Sequence, residues 1–296
     1  MEKYLKISAA VVFGLIAGAV ACTRGNLDIA GLFCNQSPDV NKRFAKSQEY
    51  NETHPAVTYS SLSEDYRMFV CTDIHIDSVT TELDVFVNAV LADNDHCPVI
   101  LFLGDLQNAY GNLPLFIKHV QPLVDSPTDE PMMVVGNHDL YYGQWSEFAK
   151  YFGTASYYFY VTTPSGAKDI FICMDSASAV MGLAQRKWAE KILLDNADCR
   201  HKVICTHTHF FKRDGSQGHT SNYPLEETHA LCSMIANCGV DMVMTGHDHS
   251  VENTIYKGIY FRTFPALCHN DPESWYSIVH VGAEVGDYRV EDIKVR

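Results

Sequence analysis

Five short polar clusters in this chain each follow directly on an apolar run, and that repeated arrangement narrows the folds open to it. Met132-Met133-Val134-Val135 leads into Gly136-Asn137-His138-Asp139. Arg67 to Thr72 leads into Asp73-Ile74-His75, and Val99 to Leu103 into Gly104-Asp105, with Asn108 three residues on. Lys202 to Thr206 leads into His207 and His209, and Asp241 to Thr245 into Gly246-His247-Asp248-His249. A short apolar run bounded by turn-forming residues reads as a buried strand. Polar residues at successive strand ends are what a site assembled from several loops presents. The glycine before Asn137 is expected to give the backbone freedom to turn.

Between the first three runs the chain reads as helix. Leu83, Phe86, Val87, Val90 and Leu91 recur at i, i+3, i+4, i+7 and i+8, and a second apolar segment follows Pro114. This βαβαβ alternation predicts parallel strands, whose carboxyl-end loops are the usual place for chemistry. Tyr157 to Thr162 and Lys168 to Met174 flank Pro164-Ser165-Gly166 and predict an antiparallel hairpin. Ala184, Trp188 and Ile192 mark a further helix. Pro224 opens another, with Glu226 and Glu227 in its first turn, where the helix dipole favours acids. The tail alternates in pieces: Thr254 to Tyr256, Ile259 to Phe264 after Lys257-Gly258, and Trp275 to Val281. These predict a run of antiparallel strands forming a second sheet or half-sheet.

Residues 1–22 carry Lys3 and Lys6, then an uncharged run from Ile7 to Ala21 that is too short for a comfortable membrane span. The run ends Ala19-Val20-Ala21-Cys22, which resembles a bacterial lipoprotein cleavage site, with Ala19 where leucine is usual. That resemblance implies a cleaved signal and attachment to the cell envelope through a lipid on Cys22. An ordinary cleaved signal and an uncleaved anchor are the alternatives. Residues 23–61 are polar and mixed and read as a tether, leaving 62–296 as one large domain. A net charge of -14 speaks against a general nucleic-acid or anionic-membrane surface. It does not exclude a small phosphorylated substrate, because a bound divalent ion reverses the local field. The 10 Cys include no C-x-x-C pair, so no cysteine zinc site is expected. Cys71, Cys173 and Cys205 lie inside apolar runs and read as buried.

The chemistry lies in the combination. Two metal ions about 3.5–4 Å apart need several N and O ligands with one anionic group shared between them. Asp73, His75, Asp105, Asn137, His207, His247 and His249 supply that set, and carboxylate with imidazole suits Mn, Fe or Zn. Each residue alone has a plainer reading. A DxH is usually a solvated turn, Gly104-Asp105 a strand-end turn, His207 a structural histidine, and His247 and His249 water-facing neighbours. Those separate readings do not explain why all five clusters follow strands.

The order DxH, GD with Asn three later, GNHD, a strand-end His and GHxH resembles the calcineurin-like metallophosphoesterase superfamily over roughly residues 67 to 250. The resemblance implies an α/β fold, a four-layer α/β/β/α sandwich of two mixed sheets flanked by helices. It implies two divalent or trivalent metal ions. Asp73, His75 and His249 would hold one ion, Asn137, His207 and His247 the other, and Asp105 would bridge them. It further implies His138 as general acid with Asp139 orienting its ring, and Asn108 in a supporting position. The family often has proline where this chain has His209. His207, nearest the strand end, is favoured over His209 as the ligand, with loop geometry left to decide. Lys212 and Arg213 are candidates for touching a phosphate or headgroup, with a solvated loop as the alternative. Tyr141, Tyr142 and Trp145 are expected to pack their loop rather than stack on a base. The implied activity is metal-dependent hydrolysis of a small phosphodiester or phosphomonoester, a nucleotide or headgroup. A non-catalytic binding lipoprotein on the same fold, or a protein phosphatase, are the alternatives.

Overall fold

The computed structural model describes residues 37–93, 99–125, 131–212 and 217–296, so the signal segment and Cys22 lie outside the described residues. Two sheets carry the architecture. The smaller joins β2 (Tyr66–Cys71), β3 (Val99–Phe102) and β4 (Pro131–Met133), all parallel, to β11 (Trp275–Val281) and β12 (Tyr288–Lys294) in the order β12-β11-β2-β3-β4. Its parallel pairing follows from two crossover helices, α2 (Thr81–Leu91) and α3 (Leu113–Val124), because adjacent parallel strands need such a connection. Helix α2 buries Leu83, Phe86, Val87 and Val90, the apolar stripe of the sequence, while Leu91 at its end is exposed.

The larger sheet runs β1-β5-β6-β7-β8-β10-β9, from β1 (Thr58–Ser60), β5 (Tyr157–Thr162), β6 (Lys168–Met174), β7 (Lys202–Thr206), β8 (Met242–Thr245), β9 (Glu252–Tyr256) and β10 (Ile259–Thr263). Side-chain alternation shows how the layers stack. Phe171 and Cys173 of β6, Val203 and Cys205 of β7, and Met242 and Met244 of β8 enter the core shared with the smaller sheet. Ile170, Ile172, Ile204 and Val243 point the other way, into a second core. There they meet Ala189 and Leu193 of α4 (Gly182–Asp195) and Leu231 and Ile235 of α5 (Leu225–Asn237). Period-two burial on both faces produces a sheet-on-sheet sandwich with helices outside, as expected. Among the described residues seven cysteines are free, Cys232 and Cys238 among them, and all seven are buried.

Two expectations fail for the same reason. The tail strands do not form a sheet of their own. The β9–β10 hairpin extends the larger sheet, with β10 parallel to β8, while β11 and β12 complete the smaller one. Residues 37–61 are also no tether. Helix α1 (Val40–Asn51) and β1 belong to the body, with β1 parallel to β5. Arg43 is fully buried, its guanidinium donating to both Asp175 oxygens at 2.7 and 3.0 Å, and Ser47 Oγ accepts the Ala155 N–H at 2.9 Å. A polar stretch reads as solvated when the groups that satisfy it are more than a hundred positions away.

Candidate metal centre

The clusters leave the carboxyl ends of β2, β3 and β4 in one sheet and β7 and β8 in the other, so both sheets deliver residues to one place. Delivery strains the backbone. Asp73, His75, Asp105, His247 and His249 hold φ of 50°, 48°, 52°, 75° and 53°, a left-handed region that costs a non-glycine residue roughly 1–2 kcal/mol. Such strain persists where the surroundings over-determine it, which is typical of functional sites. Glycines make the approach possible. A Cβ on Gly136 would overlap the Asp105 carboxylate and backbone nitrogen, and one on Gly246 would overlap Thr72 Oγ1. Gly136 is not among the positive-φ glycines, so the motif needs its small size and not, as expected, its freedom to turn.

Two sets of electron-rich atoms result. In the first, His75 Nε2 and His249 Nε2 stand 3.0 Å apart. Asp73 Oδ1 lies 3.4 Å from His249 Nε2 and 3.7 Å from His75 Nε2. In the second, Asn137 Oδ1 lies 3.1 Å from His207 Nε2 and 2.9 Å from His247 Nδ1. Asp105 Oδ2 faces both sets, 3.6 Å from His75 Nε2 and 3.4 Å from His207 Nε2, the position of a shared carboxylate.

The outer partners fix which atoms face inward. His207 Nδ1 meets Leu103 O at 2.8 Å and His249 Nδ1 meets Asp271 Oδ2 at 2.7 Å, so each ring donates outward and turns its Nε2 lone pair inward. Asn137 Nδ2 donates to the Tyr141 hydroxyl at 2.9 Å, which aims its carbonyl oxygen at His207 and His247. Lone pairs therefore face lone pairs at hydrogen-bond distance, and buried Asp73 Oδ1 has no hydrogen-bond partner at all. That arrangement fits cations, because only a proton or a metal ion between such atoms removes the repulsion. In the metal-free protein protons serve. Burial opposes charge on His207, but Asp105 and Asp73 outweigh it and raise its pKa to about 10. Burial likewise opposes charge on His249, and Asp73 and Asp271 raise it to about 9. Burial and the neighbouring His207 push His247 down to about 4. Asp73 and Asp105 are held well below the ordinary carboxylate range, since the surrounding histidines outweigh their desolvation.

All seven residues expected as metal ligands meet here. His207 is the fourth-cluster histidine of the set. His209 turns to other partners, its Nδ1 3.3 Å from Asn222 Nδ2 and its Nε2 3.8 Å from Asp248 Oδ1. His138 lies edge-on to His75, ring centroids 4.2 Å apart, and its backbone N–H donates to Asp105 Oδ1 at 2.8 Å. Its ring also falls in a ligand-distance group with His75 and Asp105, so it borders the first set.

The role expected of Asp139 is not what the structure shows. Its Oδ2 accepts the N–H of Asp105 and Gly136 at 3.1 and 2.9 Å, and its Oδ1 those of Leu106 and Gln107 at 3.1 and 3.4 Å. The His138 Nδ1 atom has no hydrogen-bond partner, so Asp139 does not orient that ring. A buried carboxylate is best satisfied by several backbone donors, and Asp139 ties the Asp105 loop to the GNHD loop instead. Asn108 Oδ1 accepts the Tyr110 N–H at 2.8 Å and shapes its own loop. Lys212 is exposed with its backbone N–H on Gly218 O, and Arg213 lies outside the described residues. Asp271 escaped the sequence reading, because no spacing ties it to the strand-end clusters.

With the geometry in place, comparison with known proteins adds the following. A sequence profile described as calcineurin-like phosphoesterase matches residues 66–251, more than half of the chain. No curated protein matches. Among solved structures, the chain is similar to a dimetal phosphatase from Danio rerio (TM-score 0.58, 11% identity, 78% of this chain and 98% of that one). It is also similar to the purple acid phosphatase PPD1 from yellow lupin (Lupinus luteus) seeds, at TM-score 0.58 and 14% identity over 80% of this chain and 52% of that one. A third is GAP50, the anchor in the inner membrane complex of Plasmodium, at TM-score 0.54 and 10% identity over 78% of this chain and 89% of that one. At these identities the likeness speaks for the fold.

Proposed function

The chain belongs to the calcineurin-like phosphoesterase family, and from that premise we propose that it hydrolyses a small phosphodiester or phosphomonoester at a centre of two metal ions, Mn, Fe or Zn. The observation that carries the reading is the pair of inward-facing donor sets sharing Asp105 Oδ2. Asp73, His75 and His249 would hold one ion, Asn137, His207 and His247 the other. Bound there, the ions would supply Lewis acidity toward phosphate oxygens and lower the pKa of a coordinated water toward about 7. The chain does the rest. Asp271 and the Leu103 carbonyl keep His249 and His207 turned inward, and Asp139 fixes the spacing between the Asp105 and His138 loops. His138, half-buried beside His75, would donate a ring proton to the leaving oxygen.

The test is hydrolysis of mono- and bis-nitrophenyl phosphate with added Mn, comparing the protein with its Asp105→Ala variant. Loss of turnover in the variant is expected; equal rates would turn the reading toward a non-catalytic binding protein. We propose attachment to the cell envelope through Cys22, supported by Lys3, Lys6 and the uncharged run to Ala21. Incorporation of labelled fatty acid should disappear in Cys22→Ser, and label persisting in that variant would refute it.

A further inference from the structure

Two tyrosines stand on the loops that carry Asp105 and His138. Tyr110 follows Asn108 by two residues, and its loop is tied to the His75 loop by Asn108 N–H donating to Ile76 O at 3.2 Å and by Asn112 Nδ2 donating to Asp77 O. Tyr142 follows Tyr141, whose ring centroid is 4.9 Å from that of His138. The Tyr110 and Tyr142 rings stack on each other, centroids 5.4 Å apart and planes within 11°.

Burial in the core does not account for this pair. Tyr141 and Trp145 are buried and pack the loop as expected, but Tyr110 is 82% exposed and Tyr142 41%. Tyr142 also holds a φ of 51°, a conformation costly for any residue but glycine, so a bulky ring is kept at a place where backbone geometry argues against one. The rings lie nearly parallel, and Tyr110 keeps most of its surface open to solvent beside Tyr142. Two rings already stacked lose little freedom on receiving a third, which favours binding.

We propose that Tyr110 and Tyr142 form a stacking platform at the rim of the metal centre for a planar aromatic ring carried by the phosphoester. The platform rests on the hydrolase reading above, since it presumes that the phosphate sits among the inward-facing donors. A nucleobase and a simple aryl group share the required chemistry.

The experiment compares adenosine 5′-monophosphate with ribose 5-phosphate, esters of the same sugar hydroxyl with and without a base. A second pair, naphthylethyl and ethyl phosphate, tests an aryl group. Both kcat/KM and Kd by equilibrium dialysis are measured on Mn-loaded protein. Stacking on an aromatic side chain predicts a preference of roughly 5- to 150-fold for the ring-bearing member. Preference in both pairs marks any planar ring, and preference in the first alone marks a nucleobase. Tyr110→Ala and Tyr142→Gly should each bring the ratio close to one, and Tyr110→Phe should keep it. A ratio near one in the unaltered protein, or one that survives in Tyr110→Ala, overturns the platform. Unequal Kd values with no turnover of any ester would instead count against the hydrolase reading and leave the platform standing. Equal Kd values overturn the platform whatever the turnover.

Discussion

The two sheets contribute unlike chemistry to the same centre. The smaller sheet supplies every oxygen donor, Asp73, Asp105 and Asn137, together with His75, whereas the larger supplies only imidazoles, His207, His247 and His249. The oxygen side is held by short links to neighbouring backbone and hydroxyl groups. Thr72 Oγ1 and the His247 N–H both donate to Asp73 Oδ2 at 2.8 Å, and the His138 N–H donates to Asp105 Oδ1. The imidazole side is held from behind by acceptors, the Leu103 carbonyl and Asp271. Negative charge and bridging thus come from one sheet, and three of the four imidazoles come from the other.

Mutations on the two sides should separate these roles. Asp105→Ala removes the shared anion and should abolish loading of both ions, with kcat falling at least about 10³-fold. Metal analysis of the purified variant checks it, and full occupancy would break the division. His138→Ala should keep both ions and lose about 10²–10⁴ in kcat, most with poor leaving groups. A variant found empty of metal would make His138 a ligand, as its closeness to His75 and Asp105 allows. Asp271→Asn should weaken metal binding by about 10–100-fold, the usual cost of an outer partner of a ligand histidine. Retained affinity there would show that His249 needs no orientation.

The last effect is a pH dependence carried by the histidines of the larger sheet. His207 and His249, raised to about 10 and about 9, carry protons at pH 7 in the metal-free protein, and metal binding must expel them. His247, at about 4, is already neutral and expels none. The carboxylates, held low, are ionised throughout. Metal affinity should therefore rise with pH from 6 to 8, by up to about 100-fold per unit if both protons leave. Calorimetry in buffers of different ionisation enthalpy should count about two protons released. Release of none would mean that the metal-free cluster is neutral. The sign for folding is opposite. Raised histidine pKa values stabilise the metal-free fold fully below about 6.5, and that contribution is lost as pH climbs through 9 and 10.

Much of the site was legible in the sequence because its parts are local. Each donor sits within a few residues of an apolar run, and an apolar run bounded by turns marks a strand wherever it later pairs. The hairpin of β5 and β6 appeared with the same limits for the same reason, as did β7 and β11. Asp139 was misassigned because its role was carried over from the family resemblance and not from any contact the sequence could show. Its oxygens instead meet N–H groups of a loop more than thirty positions earlier.

By itself, then, the sequence determined the strand ends, the donors they carry and the crossover helices between them, since periodicity and turn chemistry act over a few residues. Only the tertiary structure decided that β9 and β10 join one sheet while β11 and β12 join the other. It alone placed Arg43 on Asp175, Asp271 behind His249, and Tyr110 against Tyr142. Periodicity states that a side chain is buried; which distant group it is buried against depends on chain packing, and no local pattern encodes that.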